Sequence, residues 1–189
     1  MWTTAKFAPQ RPYVAEGHGR DKAYSSACGE HVISHAVEMV LTKSGNKMGV
    51  QIGEFTVSAR VAQTKEKRYH EWFIEFEKIP EHTKSLVLIV EDPDAPRGTF
   101  IHWYGWNIPS NKKILEESEK LPLEGKNGFG NLGYRGPCPP PGNPHRYFFT
   151  LYAIDKMLDL QKESSKHQLE AAMKGHILEQ AELMGTYQR

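Results

Sequence analysis

Lys84-Ser85-Leu86-Val87-Leu88-Ile89-Val90-Glu91 runs directly into Asp92-Pro93-Asp94-Ala95-Pro96-Arg97-Gly98-Thr99-Phe100-Ile101-His102, and this junction decides how the chain reads. The apolar run is short and bounded by a turn signal, the pattern of a strand buried on both faces. Its exit carries two carboxylates and is stiffened by Pro93 and Pro96, so its polar groups are delivered to a fixed place. A second stretch, Gly136-Pro137-Cys138-Pro139-Pro140-Pro141-Gly142-Asn143-Pro144-His145-Arg146-Tyr147, also leads into an apolar strand pattern. Two rigid turns that each present a histidine point to one site built from both.

Outward from the junction, alternation continues. Phe55, Val57, Ala59 and Val61 alternate with polar residues, as do Trp72, Ile74 and Phe76, so each segment reads as a half-buried strand. His102 to Ile108 and Tyr147 to Ile154 add two more. Pro109 to Gly136 is a long connection with a short helical stretch near Lys113 to Lys120 and a glycine-rich loop at Gly125, Gly128, Gly130 and Gly133. Ser165-Lys166-His167-Gln168 is a capping-box pattern, and Leu169, Ala172, Met173, His176, Ile177, Gln180, Ala181 and Met184 come after it at helical spacing. The expectation is an amphipathic helix over Ser165 to Met184, closed by Gly185. The first ~45 residues form an irregular arm, with a weakly alternating strand candidate in Gly29 to Leu41. Several strands with peripheral helices make a mainly β fold.

Composition narrows the function classes. With 189 residues the chain is long enough for one domain with a real core. A formal net charge of +1 gives no global field for nucleic acid or an anionic membrane. No apolar run approaches the ~20 residues that span a bilayer, and Met1 to Gln10 lacks the apolar core of a secretory signal. A cytoplasmic location is the default, and Cys28 and Cys138 are expected to be free thiols there.

Asp92 and Asp94 have two readings. They could cap backbone amides in Asx-turns, or serve as an acid–base or ligand-orienting pair beside His102. The cluster Trp103, Tyr104 and Trp106 fits a core better than a stacking platform for nucleic acid. Lys65-Glu66-Lys67-Arg68 reads as a solvated turn. In the second stretch the prolines restrict the backbone, and an X-Pro bond there could be cis. Such a loop suits a pre-formed pocket, with Gly136 and Gly142 allowing close approach of a ligand. A rigid connector with a solvated His145-Arg146 pair is the alternative.

Taken together, Asp92-Pro93-Asp94-Ala95-Pro96 with His102-Trp103, and Gly136-Pro137 with His145-Arg146-Tyr147-Phe148-Phe149, resemble the signatures of the phosphatidylethanolamine-binding protein family. Gly136-Pro137-Cys138-Pro139-Pro140 and the Gly185-Thr186-Tyr187 ending look most like its bacterial and archaeal Raf-kinase-inhibitor-like branch. The resemblance covers residues 79–189, the best-matching core of a single domain spanning residues 1–189. Residues 1–50 are a divergent arm, and Glu71-Trp72-Phe73-Ile74 stands where the branch has a Ser-Pro-Pro-like stretch.

The resemblance implies an antiparallel Greek-key β-sandwich with short peripheral helices and a carboxyl-terminal helix. It implies a small cavity for phosphate, acetate or a phosphorylated head group, lined by Asp92, Asp94, His102, Gly136, Pro137, His145 and Tyr147, with Tyr187 a weaker candidate. Imidazole N–H groups of His102 and His145 would donate to the anion, and nearby carboxylates would favour the imidazolium form. A binding protein is therefore expected, not an enzyme, with no cofactor and no metal. Inhibition of a kinase or serine protease partner, and a homodimer, are further implications of the branch. The rival readings are an enzyme with Cys138 as nucleophile, and a metal site made of Asp92, Asp94, His102 and His145.

Overall fold

The computed structural model describes residues 50–51, 55–63, 70–116 and 119–189. Nine strands and one helix are formed among them: β1 (Val50–Gln51), β2 (Thr56–Gln63), β3 (His70–Glu77), β4 (Ser85–Asp92), β5 (Phe100–Pro109), β6 (Ile114–Glu116), β7 (Leu123–Glu124), β8 (His145–Ile154), α1 (Lys166–Met173) and β9 (Ile177–Tyr187). All strand pairs are antiparallel. A six-stranded sheet has the order β1-β9-β8-β4-β5-β7, and a three-stranded sheet has the order β2-β3-β6. Because β8 returns to lie beside β4, sheet order departs from chain order in the Greek-key manner. The candidate strand in Gly29 to Leu41 and the turn at Lys65 to Arg68 lie outside the described residues.

The junction strand β4 is central, and its apolar residues are buried on both faces. Leu86, Leu88 and Val90 join the core between the sheets, with Phe55, Val57, Ile74, Phe76, Leu115, Tyr147, Phe149 and Leu151. Val87 and Ile89 point the other way, into a second core with Tyr104, Trp106, Leu158, Leu169 and Met173 under α1. Burying each such side chain is worth about 1.5–3 kcal/mol, so β4 anchors the sheet that carries the site. Trp103, Tyr104 and Trp106 are core groups, and the Trp103 indole Nε1 donates to buried Glu124 at 3.0 Å.

Two expected helices are corrected. The capping box forms as expected, with Ser165 Oγ accepting from Gln168 N and the Gln168 side chain accepting from Ser165 N. The helix then stops at Met173, because Gly175 (φ +80°) takes the chain out of helical geometry. From there the chain enters the long strand β9, paired with β8 from Ile177↔Ile154 to Tyr187↔His145. Ala181, Leu183 and Gly185 alternate inward there, so a period of 2 is overlaid on the helical spacing. Gly185, expected as a helix stop, lies within the strand. Likewise Lys113 to Lys120 contains β6, where Leu115 pairs with Ile74 and buries its side chain.

Candidate functional site

Asp92 ends β4, His102 is near the start of β5 and His145 opens β8, so three neighbouring strands bring their polar residues to one end of the large sheet. Alternation along β8 puts His145 on the same side as Tyr147 and Phe149, facing the core between the sheets, and turns Arg146 away. His145 Nδ1 donates to Asp92 Oδ2 at 2.7 Å, and both residues are buried, at 8% and 3% exposure. His102 is equally buried and its Nδ1 donates to the Arg135 carbonyl at 2.5 Å. The His102 and Tyr147 rings meet edge to face with centroids 5.2 Å apart. Phe100 and the half-exposed Phe129 wall the other side of His102, and the Arg135 guanidinium lies over Phe129.

Both readings of the Asp-Pro-Asp turn hold at once. Asp94 N donates to Asp92 Oδ1 at 2.9 Å, an Asx-turn, while the other Asp92 oxygen holds His145. Asp94 itself turns outward. Its Oδ2 accepts from Arg146 N at 2.9 Å and Nε at 2.8 Å, and its Oδ1 from Nη2 at 2.7 Å. The structure therefore gathers Asp92, His102, His145 and Tyr147, and places Asp94 on the rim. Gly136 and Pro137 come directly after the Arg135 carbonyl that holds His102. An open pocket of about 660 Å³ lies over the rim, lined by Asp94, Pro141, Gly142, His145, Arg146 and Thr186. Tyr187 pairs with His145 across β8 and β9, and Gln188 Nε2 donates to the Gly142 carbonyl at 2.7 Å.

The electrostatics arise from burial. Desolvation lowers the His102 pKa against the opposing pull of the Arg135 and Gly136 backbone and the Asp92 charge. The expectation of an imidazolium favoured by nearby carboxylates is thus corrected for His102, which is neutral near pH 7. Burial, then the Asp92 charge, pushes the Tyr147 hydroxyl far above the usual phenol range, so it stays a donor. That hydroxyl is buried in the field of Asp92 without a well-aligned hydrogen bond among the described residues. The Arg146 bonds hold the Asp94 carboxyl well below the usual carboxylate range.

Two rival chemistries lose their groups. Cys138 is disulfide-bonded, which corrects the free-thiol expectation and leaves no thiol for nucleophilic attack there. Both Asp94 oxygens are taken by Arg146, and among the described residues no cluster of three His, Cys, Asp or Glu is arranged to hold a metal. No described peptide bond is cis. The residues that sequence reasoning missed are Arg135, Phe100, Phe129 and Gln188, together with Arg146 in its role as the partner of Asp94. Of these, only Arg146 had a legible signal, since strand alternation must turn it away from His145.

A β-sandwich with a histidine–carboxylate site at the end of its large sheet defines a class, and sequence comparison gives the class its family. The family model described as phosphatidylethanolamine-binding protein matches residues 42–188, and the chain belongs to this family. It is 47% identical over 125 residues to a UPF0098 protein of Pyrococcus abyssi, covering 61% of this chain and 70% of that one. A UPF0098 protein of Methanothermobacter thermautotrophicus is also 47% identical, covering 61% and 81%. The crystal structure of a phosphatidylethanolamine-binding protein homologue from Chlamydia trachomatis superposes with a TM-score of 0.59 at 43% identity, over 62% of this chain and 80% of that one. Escherichia coli YbcL, described as a member of the mammalian PEBP family, shares the fold at 24% identity, with a TM-score of 0.62 over 72% of this chain and 99% of its own. The family match begins well before residue 79, so the segment around β2 and β3 belongs to it despite lacking the Ser-Pro-Pro-like stretch.

Proposed function

We propose that this protein binds a small anion, such as phosphate or a phosphorylated head group, between His102, His145 and Tyr147, and holds it without transforming it. One observation carries the reading. The Tyr147 hydroxyl is a buried polar atom without a well-aligned hydrogen bond among the described residues, and Tyr147 lies beside the His102 ring and on the same strand face as His145, the Nδ1 atoms of both histidines being already engaged. Buried polar groups are costly unless partnered, so this hydroxyl between two histidines calls for a ligand that complements it. Gly136 and Pro137 would form the floor and Asp94 the rim, positioning groups around the ligand. Cys138 in a disulfide and Asp92 bonded to His145 withdraw two of the groups a catalytic reading would use, which favours binding over catalysis.

Titration of the histidine ring signals with phosphate and with phosphoethanolamine tests this. Shifts confined to His102, His145 and Tyr147 support it, and shifts elsewhere overturn it. A phosphorylated side chain of a kinase or protease partner would use the same chemistry. A pull-down with His145→Ala separates pocket-dependent partners from others and also bears on self-association. A disulfide at Cys138 fits an oxidising compartment, or the interior of a hyperthermophile, better than a reducing cytosol.

A further inference from the structure

The donors and acceptors around Asp92 do not balance for an ionised anion. His102 Nδ1 faces the Arg135 carbonyl at 2.5 Å and His145 Nδ1 faces Asp92 Oδ2 at 2.7 Å. A carbonyl and a carboxylate only accept, so both rings carry their hydrogen on Nδ1. A neutral imidazole of that tautomer shows a bare lone pair at Nε2. The Tyr147 hydroxyl is a donor turned toward Asp92, whose carboxylate adds negative charge beside the two rings. The rim contributes few amides, since Pro137, Pro139, Pro140, Pro141 and Pro144 have no N–H. The nearby cations do not make up the deficit: Arg146 is bound to Asp94 on the outward face, and exposed Arg135 lies over Phe129. A fully ionised anion would meet two lone pairs and a carboxylate.

Resting on the anion-binding reading, we propose that this site binds an anion only together with a proton, taken up by His145 or brought by the ligand as a P–O–H. Protonation at His145 Nε2 puts an imidazolium against Asp92, whose carboxylate compensates the new charge at 2.7 Å. His102 meets only neutral backbone acceptors, at Arg135 and Gly136, and its burial disfavours a charge, so its Nε2 stays a lone pair that accepts the ligand's O–H. The other groups facing the two rings are Tyr147 on β8, Tyr187 opposite His145 on β9 and the Asp94–Arg146 pair at the rim. Among the described residues, neither the Tyr147 hydroxyl nor the Asp94–Arg146 pair makes a hydrogen bond to either Nε2. The consequence is selectivity: a phosphomonoester, which keeps an ionisable O–H, is preferred over the diester linkage of a membrane phospholipid.

Calorimetry on the whole chain tests this with sulfate, which carries no proton at neutral pH. Titrations in two buffers of different ionisation enthalpy are expected to show proton uptake on sulfate binding, and affinity that falls as pH rises. Near about pH 5, methyl phosphate and dimethyl phosphate carry the same charge, but only the monoester keeps an O–H. The monoester is expected to bind about tenfold more tightly. His145→Gln, confirmed as folded by its thermal transition, offers a permanent amide N–H where the imidazole needs a proton, and should bind sulfate without proton uptake. Buffer-independent heats with pH-flat sulfate affinity, equal binding of the two esters, or unchanged uptake in His145→Gln would overturn the proposal while leaving the anion site standing. Failure of the folded protein to bind sulfate or either ester would instead overturn the anion-binding reading itself, and this inference with it.

Discussion

Asp92 and Asp94 are two residues apart in one turn, yet they belong to different physical worlds. Asp92 is buried, holds one histidine through one oxygen and caps the turn with the other. Asp94 is on the rim, receives three hydrogen bonds from a single arginine and stays in reach of water. The sheet ends between them, so the period of 2 that would give them a common face is broken at Pro93. The lesson is that the number of bonds does not rank the two carboxylates; burial does. An exposed pair is screened, whereas a buried donor left without its acceptor bears the full desolvation cost.

The largest expected effect tests that ranking directly. Asp92→Ala leaves the His145 Nδ1–H without its acceptor and opens the Asx-turn, at a loss of about 3 kcal/mol in urea unfolding. A second effect belongs to His102, whose pKa is lowered in the fold. The unfolded chain then binds more protons, so stability should fall as pH drops below about 6.5, and His102→Gln should flatten that fall in pH-dependent melting.

Asp94→Asn should cost several-fold less than Asp92→Ala, and its cost should shrink in about 1 M salt. Because the folded Asp94 carboxyl sits below its ordinary value, its contribution is present above about pH 3.9 and is lost only as pH falls through the depressed folded value. If Asp94→Asn proved as damaging as Asp92→Ala, the contrast between the two would not be one of burial. The smallest effect on stability is expected from Tyr147→Phe, which removes a buried hydroxyl without a well-aligned hydrogen bond among the described residues. Its unfolding free energy should change by less than about 1 kcal/mol, while sulfate affinity by calorimetry drops about tenfold.

Much of this architecture was legible in the residues. Leu86 to Val90 has no polar position, so only a central strand covered on both faces accommodates it. Asp92, His102, His145 and Tyr147 were legible as one cluster because each sits where an apolar strand meets a stiff turn. Asp94 was grouped with them because the motif gives its spacing but not the point where β4 stops pairing. The carboxyl-terminal segment misled for a different reason. Ala181 satisfies helical and strand spacing alike, and the choice was made by pairing with β8, which no local pattern contains. The Arg135 carbonyl that fixes the His102 tautomer is a backbone group, and a backbone group leaves no mark in a list of side chains.

The bonds that define the site span long stretches of chain: 53 positions from Asp92 to His145, 52 from Asp94 to Arg146 and 33 from His102 to Arg135. None of them can form in a nascent hairpin. Each requires loops of that length to close, and the Asp92–His145 pair also needs β8 docked on β4, so they belong to the slow, non-local part of folding. The two imidazoles are consequently built-in clocks for the folding reaction. In a refolding experiment their ring resonances should reach native positions with the final phase, after any signal from the locally capped helix α1.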